Sequence, residues 1–193
     1  MRRLIISTLI TLLSVLQFHA QTPAPTTPGK PLEPNRLAEN WVDRLNALDD
    51  WYLTVEGKEQ GVDEVVNRMM DLFAPDALAE VPPHDEDQIG PVMLVGSGNI
   101  RKWVEKIARS QVQLAYIIKR QTEKEFEGEM LVYSKPLSWG GLGISFQIIG
   151  VWSLREDRRR FMAPGAVFLQ FGDDGKIRRL RLFLAENEEV VTI

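Results

Sequence analysis

Beyond position 35 the apolar residues change rhythm once, and that change divides the chain into a helical part and a strand part. Leu37, Trp41, Leu45, Leu48, Tyr52 and Val55 recur at steps of three and four, which predicts one amphipathic helix over residues 35–56. Gly57 and Gly61 interrupt it. Val62, Val65, Val66, Met69, Leu72 and Phe73 form a second stripe that ends at Ala74-Pro75. Residues 78–81 read as a short strand stopped by Pro82-Pro83, and Ser97 is placed to cap a third helix that buries Ile100, Trp103, Val104 and Ile107. From Gln111 the period falls to two, with Val112, Leu114, Tyr116 and Ile118 on one face. Further strand runs cover 130–133, 144–154, 161–171 and 176–186. Gly172-Asp173-Asp174-Gly175 predicts a tight hairpin turn, and Pro164-Gly165 inside a strand pattern predicts a bulge or bend. Helices first and a meander afterwards predict an α+β domain with its helices on one sheet face.

The first 35 residues follow different rules. Arg2-Arg3 precede an apolar run over residues 4–16, and Gln17, His19 and the prolines after it end that run too early for a membrane span. This is the pattern of a signal peptide, residues 1–20, cut after Ala20. The bulky Phe18 near the cut leaves an uncleaved anchor as the alternative. Residues 21–35 hold five of the eleven prolines and read as a tether. The folded domain then spans 36–193. The expected location is periplasmic or secreted, with no membrane contact after cleavage.

Composition narrows the chemistry. The 193 residues contain no cysteine, so disulfides, thiol nucleophiles, cysteine-held metals and a lipid anchor are excluded. Cleavage would leave His84 as the single histidine, which excludes a multi-histidine metal site, and neither a metal nor a cofactor is expected. Removing residues 1–20 takes away two arginines and no acid, moving the formal charge from −4 to −6 and arguing against nucleic acid as a partner. A general base must be a carboxylate or histidine within reach of substrate. Glu80, inside the short strand, is the candidate, weighed against an outward residue paired with a cation. His84 stands in the acidic run HDED, which favours a solvated loop over a proton carrier. Gly96-x-Gly98 lacks the fuller glycine pattern of a phosphate cradle and reads as a turn and cap.

Three segments carry a resemblance: Asp71-Leu72-Phe73-Ala74-Pro75-Asp76-Ala77, then Gly96-Ser97-Gly98-Asn99-Ile100-Arg101-Lys102-Trp103, then Phe168-Leu169-Gln170-Phe171 with Gly172-Asp173-Asp174-Gly175-Lys176-Ile177. In this order they resemble the nuclear transport factor 2-like superfamily, in its SnoaL-like, polyketide-cyclase-like branch, across residues 37–186. The resemblance implies a cone, with three N-terminal helices packed in a strongly curved antiparallel sheet around an apolar pocket, and dimers formed through the outer sheet face. It hosts isomerases, dehydratases and cyclases beside non-catalytic binders, so it leaves the activity open. The two aspartates of steroid isomerases fall on Val81 and Val167, which disfavours isomerase chemistry. Trp51, Tyr52, Val81, Trp103, Tyr116, Trp152, Val167 and Leu182 become the pocket candidates, and a small apolar or aromatic molecule the expected partner. Arg179, Arg181 and Phe183 become candidates for the homodimer face. A cofactor-free cyclase, isomerase or dehydratase and a dimeric interaction module remain the competing readings.

Overall fold

The computed structural model describes residues 32–83, 90–119, 130–185 and 188–189. The signal segment, the tether up to residue 31 and His84 with its acidic run lie outside the described residues.

The long first helix is broken into pieces. Helix α1 (Pro34–Asn46) starts on a proline, whose fixed φ and missing N–H suit a first helical turn, and buries Ala38, Trp41, Val42 and Leu45. A 3-10 turn (Ala47–Asp49) leads into α2 (Asp50–Leu53) and α3 (Val55–Gln60). Thr54 causes the break: it is extended, and its Oγ1 accepts the Gly57 N–H at 2.8 Å to cap α3. Gly57 is therefore no breaker. It lies within α3, where a Cβ would stand 2.1 Å from the Asp50 carbonyl oxygen. A further break falls at Gly61, with φ +79°, and α4 (Val62–Met70) follows.

Strand β1 (Phe73–Val81) begins five residues before the expected strand and absorbs the end of the expected second helix. Then come β2 (Val92–Val95), α5 (Ser97–Ser110), β3 (Gln111–Ile118), β4 (Val132–Pro136), β5 (Leu142–Leu154), β6 (Arg160–Phe171), β7 (Ile177–Leu184) and the two-residue β8 (Glu188–Glu189). Gly96, not Ser97, holds the N-cap position of α5, at φ +80°. All strands join one curved sheet, ordered β2-β1-β7-β6-β5-β3, with β4 on β5 and β8 on β6. The sheet is mixed rather than antiparallel throughout, because β1 runs parallel to β7. The helices fill its concave side, as the α+β reading requires.

Two registers matter. No shift occurs at Pro164-Gly165 in the β5–β6 ladder; instead a Cβ on Gly165 would meet the Phe183 carbonyl oxygen at 2.4 Å, so glycine permits a close approach of strands. The irregularity lies at Gln170/Phe171, beside the tight turn, where Gly175 alone of the four turn residues has positive φ. That bulge rotates Ile177 into the core, whereas strict alternation puts it on the Arg179 face.

Candidate functional site

The concave side of the sheet is built by the inward positions of β1, β3, β5, β6 and β7. They place Ala79 and Val81, Tyr116, Phe146 and Trp152, Val167, and Leu182 together in one buried cluster with Trp41 and Trp103 from the helices. Val81 is 1% exposed and Val167 is fully buried, so the two positions onto which the resemblance maps the steroid-isomerase acids both face inward as valines. Across the strands, Val167 sits between Phe146 and Leu182.

The aromatic rings are ordered. Tyr116 stacks on Trp152 with centroids 6.3 Å apart and planes 8° from parallel, and Trp152 continues onto Phe161 at 6.1 Å. Gly150 makes this possible, since its missing side chain is the space taken by the Tyr116 ring. Burial raises the Tyr116 phenol pKa well above its ordinary value, so it stays protonated as a donor. Trp41 meets Phe146 edge-on at 6.1 Å, and its indole Nε1 is buried without an acceptor among the described residues.

Glu80 lies elsewhere. Alternation along β1 turns it to the convex side, where its carboxylate takes the Arg181 Nε at 2.9 Å. A base fixed in that pair does not reach the concave interior.

Trp51 and Tyr52 also leave the pocket set. Trp51 Nε1 donates to the Ala108 carbonyl at 3.0 Å, and both rings lie against the Arg155 guanidinium, 4.4 and 4.3 Å from its carbon. Arg155 donates to the same carbonyl at 3.0 Å. Together they close the C-terminal turn of α5, where a cation meets the negative end of the helix dipole. The spacing that puts Tyr52 on the helix stripe fails because the helix has already bent at Ala47.

The buried carboxylate that sequence reasoning passed over is Asp49, 3% exposed. Burial is the chief cause raising its pKa, against backbone hydrogen bonds that lower it. Its Oδ2 accepts the Leu114 N–H at 3.2 Å, while the Asn46 amide makes a reciprocal pair with the Tyr116 backbone at 3.0 and 2.7 Å. These side chains cover the open edge of β3, at a bulge where Gln113 adopts φ +56°. Their role is structural, and only their polarity at the end of an apolar stripe hints at it.

Arg179, Arg181 and Phe183 stand on the convex face as alternation predicts. Trp139, at the β4–β5 hairpin, is 56% exposed. Asp157 pairs with Arg159, whose backbone N–H is the chief influence holding the carboxyl pKa down. Among the described residues no three His, Asp or Glu side chains gather as a metal site.

No protein-family model matches the sequence, and no curated protein does. Solved structures match by shape. A scytalone-dehydratase-like protein of Novosphingobium aromaticivorans aligns with a TM-score of 0.56 at 12% identity, over 82% of this chain and 86% of that one. The Rv0760c protein of Mycobacterium tuberculosis, solved with estradiol-17β-hemisuccinate, aligns at 0.51 and 10%, over 78% and 92%. A Catenulispora acidiphila protein with a ketosteroid isomerase-like fold, holding trimethylamine, aligns at 0.50 and 10%, over 78% and 86%. At such identities the likeness speaks for architecture, and the architecture of this chain is the nuclear transport factor 2-like cone.

Proposed function

We propose that this is an exported binding domain that takes a small apolar or aromatic molecule into the concave side of its sheet, without acid–base catalysis. The make-up of the buried cluster carries this reading: Tyr116, Trp152, Phe146, Trp41, Val81, Val167 and Leu182 offer rings and aliphatic surface that a ligand parting them would meet. Among the described residues Asp49 is the buried carboxylate, and it is bound to backbone. The unmatched Trp41 N–H supplies one polar handle. A buried donor without a partner costs about 1–3 kcal/mol, so a ligand presenting one oxygen acceptor there gains that much over a pure hydrocarbon. The mycobacterial neighbour was solved with an estradiol ester, a largely apolar ring system that also carries a carboxyl group.

The test is titration with the neutral fluorophore N-phenyl-1-naphthylamine. Binding should raise and blue-shift its emission. Val167→Ala, which opens space in the packed interior, should keep or strengthen binding, and Val167→Phe, which adds bulk there, should abolish binding in a chain that circular dichroism shows to be folded. Absence of binding, or binding indifferent to both substitutions, overturns the proposal. For export, N-terminal sequencing of the secreted or periplasmic product should begin at Gln21; recovery of the intact N-terminus from the cytosolic fraction refutes it.

A further inference from the structure

The convex face of the sheet presents a second arrangement, independent of the interior. Most of the exposed large apolar side chains in the described residues lie on it. Phe168 is 45% exposed and Phe183 39%, with Met162, Ile149 and Ile117 beyond them. Phe168 and Phe183 meet edge to face with centroids 6.1 Å apart. Together with Gln170, Arg179 and Arg181 they line a groove of about 210 Å³.

Charge distinguishes this groove from a plain apolar patch. Strands β1 to β7 contain only two acidic residues, Asp76 and Glu80, and both are taken, by Arg178 and Arg181 at 2.9 Å each. The same strands carry Lys135, Arg160, Arg178, Arg179 and Arg181. In a chain of formal charge −4 these seven strands thus carry an excess of cations, which Glu188 and Glu189 of the short β8 partly offset. Arg179, exposed beside the aromatic pair, has no carboxylate partner among the side chains described. A guanidinium beside an aromatic floor matches an anion attached to a ring, through charge-assisted hydrogen bonds and stacking. A second copy fits less well, because a self-complementary interface centred here would bring two arginine-lined grooves together. The volume also falls below the roughly 300–1,000 Å³ of sites for drug-sized ligands, so the occupant is small.

We propose that the groove between Phe168, Phe183 and Arg179 is a binding site for a small aromatic carboxylate. The carboxylate faces Arg179 and Gln170, and the ring lies on the phenylalanine pair. Arg181 is held back by Glu80 and bounds the groove.

Naphthalene-2-carboxylate tests the proposal against its neutral analogue 2-naphthalenemethanol, by calorimetry on the whole chain, with light scattering at the same concentrations. The carboxylate should bind at low ionic strength and weaken as salt is added. The alcohol should not bind measurably. Arg179→Gln, at an exposed position, should weaken the carboxylate by about tenfold or more, the loss of one charge-assisted contact. Equal binding of the alcohol, or an unchanged affinity in Arg179→Gln, overturns the proposal. A doubled mass that Phe168→Ser returns to a single chain, without carboxylate binding, overturns it in favour of a second copy. N-phenyl-1-naphthylamine binding in the interior is read separately, so either site can fail alone.

Discussion

Asp49 and Gly150 show how much a single residue decides in this domain. The Asp49 carboxyl is buried against the β3 bulge, and burial raises its pKa. The folded state therefore holds the proton more tightly than the unfolded state, so ionisation costs stability as pH rises from the ordinary carboxylate range through the raised value. Asp49→Asn keeps an oxygen for the Leu114 N–H and has no charge to bury. Thermal melts between about pH 3.5 and 7 should show the variant gaining on the parent chain as pH rises, and the gap closing in acid. A parent chain that gains on the variant with rising pH would contradict the assignment. Gly150 acts through space rather than charge. A Cβ there would stand 2.5 Å from Tyr116 Cε1, in a stack that cannot slide because Trp152 and Phe161 extend it. Gly150→Ala should destabilise by about 1–3 kcal/mol, the range for overpacking a filled core, measured by denaturant unfolding. Neither role was legible in the sequence, because both depend on a neighbour in another element.

At the scale of elements, period and punctuation were legible where they had local causes. The stripe of α5 and the alternation of β3 appear in place because each stays on one side of one layer. The first helix was misread because a continuous apolar stripe hides a change of axis: Leu48 and Trp51 stay partly or fully buried, but on a 3-10 turn and a separate short helix. The start of β1 was misread because Phe73 and Ala74 suit a helix end as well as a strand, and the parallel pairing with β7 decides between them. The inward burial of Val81 and the outward turn of Glu80 follow from the alternation of β1. Trp51 and Tyr52 were not, since only the position of Arg155 shows what they hold. The same bend lets Asn46 reach the β3 edge. Its amide serves one backbone N–H and one carbonyl of Tyr116, so Asn46→Ala leaves two groups without their partner. A loss of about 1–3 kcal/mol should follow, with faster amide hydrogen exchange at Tyr116 than at residues 148–150 of the neighbouring strand. Uniform exchange across both strands would show that water replaces the amide without cost.

For the whole molecule, the sheet separates two chemistries that the composition averages away. Its concave side is apolar and aromatic, and its convex side is apolar and cationic, while the acidic surplus lies outside strands β1 to β7. A net charge near −4 therefore predicts neither surface. Because the concave rings already pack against one another, a ligand entering there has to part them, and its binding must be linked to folding rather than added to a rigid cup. A molecule that binds the folded chain alone stabilises it by about 2.7 kcal/mol at a hundred times its Kd. For a domain of this size each kcal/mol moves the melting temperature by about 2–4 °C, so saturation with N-phenyl-1-naphthylamine should raise it by about 5–11 °C. The rise should persist in Arg179→Gln and vanish in Val167→Phe. A shift that follows Arg179 instead would place the neutral probe on the convex face and leave the interior as core alone.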